Sequence, residues 1–386
     1  IKNNKITRNV SKLSGTIASR ESNTLILGNL ISYNVTGFYG GGIYCELPST
    51  TTIIANTISH NSGGIGGGIA CAVQASSIIS KNIITYNKSR HDLAGYGGGG
   101  ITCPDGGTHQ VLENTISYNS SIAEGAGGIH GSGTTITIKG NTVSHNTCAE
   151  SIVYGAGGIS IYISIATISN NLIHNNSVLK TGAGGINFIG DGEITNNIIA
   201  NNTAVKGGAG IYTNTGSTIS NNLIVNNSAS TAEGSGGIYC KNCDAKIINN
   251  TIANNSAVNG GGVFCVTSSN PVLKNNIMWG NKASAAGNQL YFGDDASDPV
   301  ISFCDIQGGK AAFGTNANVF YLGSYTNNLD VVPVFVNPSA GSGSTTNGLS
   351  GDWRLMGNSP CINSGDPNGG PYAATDIIGN TRVLDG

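Results

Sequence analysis

The chain has 386 residues, of which 59 are glycine and 49 are asparagine, while only 10% are charged, against roughly a quarter in an average globular domain. Eighteen basic and 20 acidic residues leave a net charge of -2, which excludes the electrostatic footprint needed for phosphate backbones or anionic membranes. No apolar run approaches the roughly 18 residues of a spanning helix.

The opening IKNNKITRNV has neither an initiator Met nor the apolar core of a signal peptide, so a soluble, processed or truncated chain is expected. The hydrophobic residues, 38% of the total, recur at regular intervals, which argues for a packed core rather than disorder. A motif of Asn, any residue, Ile/Val/Met, two residues, then Asn begins at Asn4, Asn29, Asn56, Asn82, Asn114, Asn141, Asn171, Asn197, Asn222, Asn250 and Asn276. Successive copies lie 25 to 32 residues apart. Between them falls a second marker, Gly-Gly-Ile or a close relative, centred on Ile43, Ile69, Ile101, Ile129, Ile159, Ile186, Ile211, Ile238 and Val263.

Each repeat reads as short strands, such as Thr52-Ile53-Ile54, Asn56-Thr57-Ile58 and Gly68-Ile69-Ala70-Cys71, broken by Gly and Asn turns. One such unit cannot bury its apolar face alone. Coils stacked at the inter-strand spacing of about 4.8 Å would place Ile on Ile, and eleven of them predict an all-β parallel solenoid about 50 Å long. The second asparagines, Asn9, Asn34, Asn61, Asn87, Asn119, Asn146, Asn176, Asn202, Asn227, Asn255 and Asn281, are expected to stack as an amide ladder and to occupy left-handed corners. The glycines before each marker Ile meet a need for positive φ or for close backbone approach.

These motifs resemble the right-handed parallel β-helix proteins, in particular bacterial surface and secreted members, over residues 1 to 283. Beyond Asn281 the repeat fades. The segments ISFCDIQGG, VVPVFVNP, DWRLMGNSPCINSGD and TDIIGNTRV resemble the tail blocks of bacterial extracellular β-helix proteins with a choice-of-anchor domain. The resemblance implies two regions, repeats at 1–283 and a β-rich cap or extension at 284–386, the latter stopping before the family's last block. It also implies a location outside the cell or on its surface.

Cys45, Cys71, Cys103, Cys240 and Cys265 each lie two residues after a marker, hence on its inward face, as small buried hydrophobes. Cys240 and Cys243 form Cys-x-x-Cys without a second pair or a His at ligand spacing, so turn chemistry is favoured over zinc. Cys304 and Cys361 could form a disulfide if the chain is exported. Asp294, Asp295 and Asp298 make the one dense acidic patch, read as a loop rather than a calcium site. No cofactor or metal is expected.

Two surface features remain. Tyr33, His60, Tyr86, Tyr118 and His145 precede the second Asn of their repeats, followed in register by Asn175, Asn201, Asn226 and Asn254. Such a strip either contacts glycans or stacks on itself. Arg90, His91 and Asp92, with Glu124 and Glu150 in later loops, are candidates for an acid, a base and a cation in glycan cleavage, though solvated loop charges are commoner.

The expected function is an extracellular structural or adhesive solenoid, with self-stacking head to tail into a fibre through an uncapped first coil, or with surface glycans as partners. The alternative is a polysaccharide lyase, glycoside hydrolase or glycan-binding module, which rests on fold analogy.

Overall fold

The computed structural model describes residues 1–90, 97–122, 125–149, 155–317 and 319–367. Among these the chain is β-structure and turns, with two short 3-10 helices at Lys310–Ala312 and Gly348–Ser350. It divides into two compact units, Ile1–Gly192 and Glu193–Gly386. Seven of the eleven asparagine motifs fall in the first unit and four in the second.

In the first unit the motif strands Lys5–Thr7, Leu30–Ser32, Thr57–Ser59, Ile83–Thr85, Thr115–Ser117, Thr142–Ser144 and Leu172–His174 pair in parallel, each with the next. Their central residues Ile31, Ile58, Ile84, Ile116, Val143 and Ile173 form one fully buried column. A second column stacks Ile43, Ile69, Ile101, Ile129 and Ile159 of the Gly-Gly-Ile strands. A third carries Ile26, Ile53, Ile79, Val111, Ile138 and Ile168. Short pairs between the two asparagine corners and the glycine turns, such as Ser62–Gly63 on Lys88–Ser89 and Ser120–Ser121 on Thr147–Cys148, close the coil. A one-residue slip would turn any of these columns out to water. Each fully buried aliphatic side chain contributes about 1.5–3 kcal/mol, so register and core are specified together.

The second unit repeats the scheme, with Ile199, Ile224, Ile252, Met278 and Ile306 in the motif column. Ile211, Ile238, Val263 and Leu290 stack beside it. Parallel pairing runs on past residue 283: Leu273 faces Ile301, which faces Tyr325. A two-stranded antiparallel ribbon, Phe335–Asn337 with Asp352–Leu355, follows.

The glycines ahead of each marker Ile answer to close approach rather than to positive φ. A Cβ on Gly42 would sit 2.8 Å from the Gly68 carbonyl oxygen, and one on Gly67 2.4 Å from that of Gly99. Neither has a left-handed φ.

Candidate functional site

Both asparagines of the motif, not only the second, build ladders. In the first unit Asn9, Asn34, Asn61, Asn87, Asn119, Asn146 and Asn176 are linked Nδ2 to Oδ1 at 2.9–3.0 Å. Asn29, Asn56, Asn82, Asn114, Asn141 and Asn171 are linked likewise at 2.9–3.0 Å. In the second unit Asn202, Asn227, Asn255 and Asn281 continue the pattern, as do Asn197, Asn222, Asn250 and Asn276.

Amides inside the ladder are used to capacity. Asn61 gives one Nδ2 proton to the Ile31 carbonyl of the preceding coil and the other to Asn87 Oδ1. Its own Oδ1 accepts from the backbone N–H and the amide of Asn34. A buried amide with all partners made is stabilising, whereas a half-satisfied one is costly.

The ladder asparagines do not take the left-handed corner themselves. The residue before each one does: Tyr33, His60, Tyr86, Tyr118, His145, Asn175, Asn201, Asn226 and Asn254 all have φ between 52° and 57°. This corrects the sequence expectation. The ladder residue keeps its amide aimed along the stack, and the positive φ falls one place earlier, where the side chain is thrown outward.

That geometry builds the aromatic strip. Rings of Tyr33, His60, Tyr86, Tyr118 and His145 stack in order with centroids 4.7, 4.9, 4.9 and 4.7 Å apart and interplanar angles of 6–16°. The three tyrosines keep 47–55% of their surface exposed. The faces of His60, Tyr86 and Tyr118 are covered by neighbours on both sides, so the strip presents ring edges, phenol hydroxyls and imidazole nitrogens rather than open faces. At its end His174 meets His145 edge-on at 5.6 Å, and Asn175 donates to both His174 Nδ1 and His145 Nε2.

Burial, and secondarily the nearby His145, lowers the pKa of half-buried His174 below its ordinary 6.5. The unfolded chain therefore takes up the proton more readily, and stability falls as pH drops below about 6.5. His174→Gln is expected to flatten that fall. Urea midpoints measured at about pH 7.5 and about pH 5.5 check it, and an unchanged difference in the variant would refute the assignment.

In the second unit the same corner position is asparagine at three of the four motifs, with Gly280 at the fourth, and these asparagines are covered by the chain's own later segment. Asn201 Nδ2 donates to the carbonyls of Ser344 and Thr346, and its Oδ1 accepts from Gly348 N–H. Asn226 donates to the Gly341 and Gly343 carbonyls and accepts from the Ser339 hydroxyl. Asn254 donates to the Ser339 carbonyl. Beside this contact lies a groove of about 370 Å³ lined by Trp279, Pro333, Phe335 and Trp353 among others.

Of the charged loop cluster, only Arg90 falls among the described residues. Arg90 is exposed and its backbone N–H bonds the Gly63 carbonyl, while His91, Asp92, Glu124 and Glu150 lie outside the described residues. In the acidic patch, Asp294 accepts from the backbone N–H groups of Thr267, Ser268 and Ala296. Asp298 accepts from those of Leu322 and Gly323. Both carboxylates therefore act as loop caps.

The cysteines two residues past the marker are buried and unbridged. Cys304 and Cys361 are also free. Cys304 takes the next rung of the first ladder, its sulfur accepting from Asn276 N–H at 3.4 Å, and Cys361 donates to Asp305 Oδ2 at 3.1 Å. Burial, then the Asp305 contact, pushes the Cys361 thiol up to about 12.

What sequence spacing did not reveal is a contact in the first unit. Cys71, Cys103 and His109, all buried, bring their ligand atoms within 4.8 Å of one another. Hydrogen bonds from Cys103 and then Cys45 hold the Cys71 thiol below its usual range. The same contacts raise Cys45 and Cys103.

Columns of inward Ile, buried amide ladders and one outward corner residue per coil define a parallel β-solenoid repeat protein. Residues 1–116 and 99–232 match the family model described as right handed beta helix region, and the chain belongs to that family. No curated protein matches it. No helix among the described residues is long and apolar enough to cross a membrane.

Proposed function

We propose that this chain is an extracellular structural or adhesive solenoid that holds an extended, hydroxyl-rich polymer, a polysaccharide, along the Tyr33–His145 strip. The observation that carries the reading is the strip itself: five outward rings in unbroken stack at 4.7–4.9 Å spacing. Ring-on-ring stacking fixes the side chains before any ligand arrives, so little rotamer entropy is lost on binding. The hydroxyl and imidazole edges supply a row of donors and acceptors suited to sugar hydroxyls.

Support comes from the second unit, where a Gly- and Ser-rich segment of bends and turns already lies along the equivalent corner residues through side-chain to backbone hydrogen bonds. The low charge, 10% of residues, fits a neutral partner and would also permit close association of copies.

The test is retention on a panel of immobilised polysaccharides, comparing the chain with a Tyr33→Ala, Tyr86→Ala, Tyr118→Ala variant of unchanged circular dichroism. The chain is expected to be retained and the variant to lose at least about tenfold in affinity, roughly 1.4 kcal/mol. Equal retention of both would remove the strip from the contact. Electron microscopy of the purified protein then separates the two roles, filaments marking a structural subunit and single particles an adhesin.

A further inference from the structure

We propose that Cys71, Cys103 and His109 form a buried zinc site inside the first unit. Among the described residues this is the one place where three such ligand atoms converge, within 4.8 Å of one another. Tetrahedral bonds of about 2.3 Å to sulfur and about 2.0 Å to nitrogen put ligand atoms roughly 3.5–3.8 Å apart. Closing onto an ion therefore takes side-chain shifts of about 1 Å, without moving the coils.

The imidazole is already oriented for the task. His109 Nε2 lies 3.2 Å from the Gly106 carbonyl, which can only accept, so Nε2 carries the proton. Nδ1 then holds its lone pair and takes the Ser77 hydroxyl at 2.9 Å. A ligand histidine whose second nitrogen donates to a backbone carbonyl is the usual outer-shell arrangement of a metal site. On binding, Nδ1 turns from the Ser77 hydroxyl to the ion, and the hydroxyl oxygen is left beside it as a neutral fourth donor.

Charge selects the ion. Two thiols lose their protons to solvent and two thiolates with one divalent cation sum to zero, so no net charge enters the apolar core. Soft sulfur with imidazole suits zinc, while calcium and magnesium take oxygen.

The repeat itself shows that the ligands are not demanded by packing. In register, the Cys45–Cys71 column has Ser19 before it, and Cys103 is followed by Gly131. The His109 column reads Thr51, Ser77, His109, Ile136. Serine, glycine, threonine and isoleucine thus all fit these places, and Cys71→Ser with Cys103→Ser, or His109→Thr, should fold.

The experiment is metal analysis by mass spectrometry of the full chain from zinc-supplemented cells, with cobalt(II) refolding as a second readout. Expected are about one zinc per chain and thiolate-to-cobalt charge-transfer absorption. Both should be lost in the double serine variant and reduced at least about tenfold in His109→Thr, with circular dichroism unchanged. Cys240, Cys243 and Cys265 remain in those variants as an internal control. A metal-free wild-type chain, or zinc content unaltered by the substitutions, would overturn the site. Should the variants fail to fold, zinc-edge absorption of the wild type decides: two sulfur and one or more nitrogen ligands uphold it, and a sulfur-only or oxygen-only shell refutes it.

Discussion

Asn119→Ala is expected to cost about 4 kcal/mol, far beyond what an asparagine normally contributes, because four hydrogen bonds end on that one amide. Its Nδ2 donates to Asn146 Oδ1 and to the Ile84 carbonyl, at 3.0 and 2.8 Å. Its Oδ1 accepts from the backbone N–H and the amide of Asn87, at 2.9 and 3.0 Å. Truncation leaves the Asn87 N–H buried without a partner, worth about 1–3 kcal/mol, and removes one bond each from Asn87 Nδ2, Asn146 Oδ1 and the Ile84 carbonyl. Asn119→Asp should fare no better at neutral pH, since it removes the donor and buries a charge. It should recover on acidification, as the desolvated carboxyl has a raised pKa and its protonated form can donate again. Denaturant midpoints give the magnitude, and hydrogen exchange at Asn87 N–H gives the location. Protection of that amide equal to wild type would show that the ladder is ornament to the core.

The second large effect is expected at Gly99. A Cβ there would lie 2.4 Å from the Gly127 oxygen and 2.6 Å from both the backbone nitrogen and the oxygen of Ser120. All three are backbone atoms within rungs, and relief would require adjacent coils to part. Gly99→Ala is therefore expected to lose about 4 kcal/mol or more, or to fail to accumulate as folded protein. Gly216 is the contrasting position, with nothing within 4 Å of its notional Cβ and no left-handed φ. Gly216→Ala should be neutral or stabilise by about 0.4–1 kcal/mol. Thermal melts of the two variants side by side test the claim, and similar behaviour would show that close packing of coils does not govern the glycine pattern.

The coil, its Ile columns and the ladder of second asparagines were legible in the sequence because a stacked solenoid repeats each local demand once per turn. Four things were not. Propensity points to the ladder Asn for the left-handed corner, since Asn tolerates that conformation better than Tyr. Only the backbone shows that Tyr33 and His60 bear the positive φ while their neighbours aim amides down the stack. The run of coils past Asn281 was obscured because Cys304 and Gln289 take over as ladder partners of Asn276 and Asn281, and neither matches the motif. The meeting of Cys71, Cys103 and His109 depends on the stacking of two adjacent coils and on the turn between Cys103 and His109, which linear spacing does not encode. The outward sense of the aromatic strip also needed the corner geometry, since position beside a turn alone leaves both directions open.

The outward corner behaves as a variable letter in an otherwise fixed word. Its backbone shape is held by the amides on either side, so the residue placed there can change from Tyr to His to Asn without disturbing the core. One letter recurs about every 4.8 Å, which makes the surface a ruler. A polymer whose own period matches the ruler gains one contact with every coil it passes, so its affinity grows with the number of coils. A polymer of another period drifts out of step within a few turns and gains nothing from the rest.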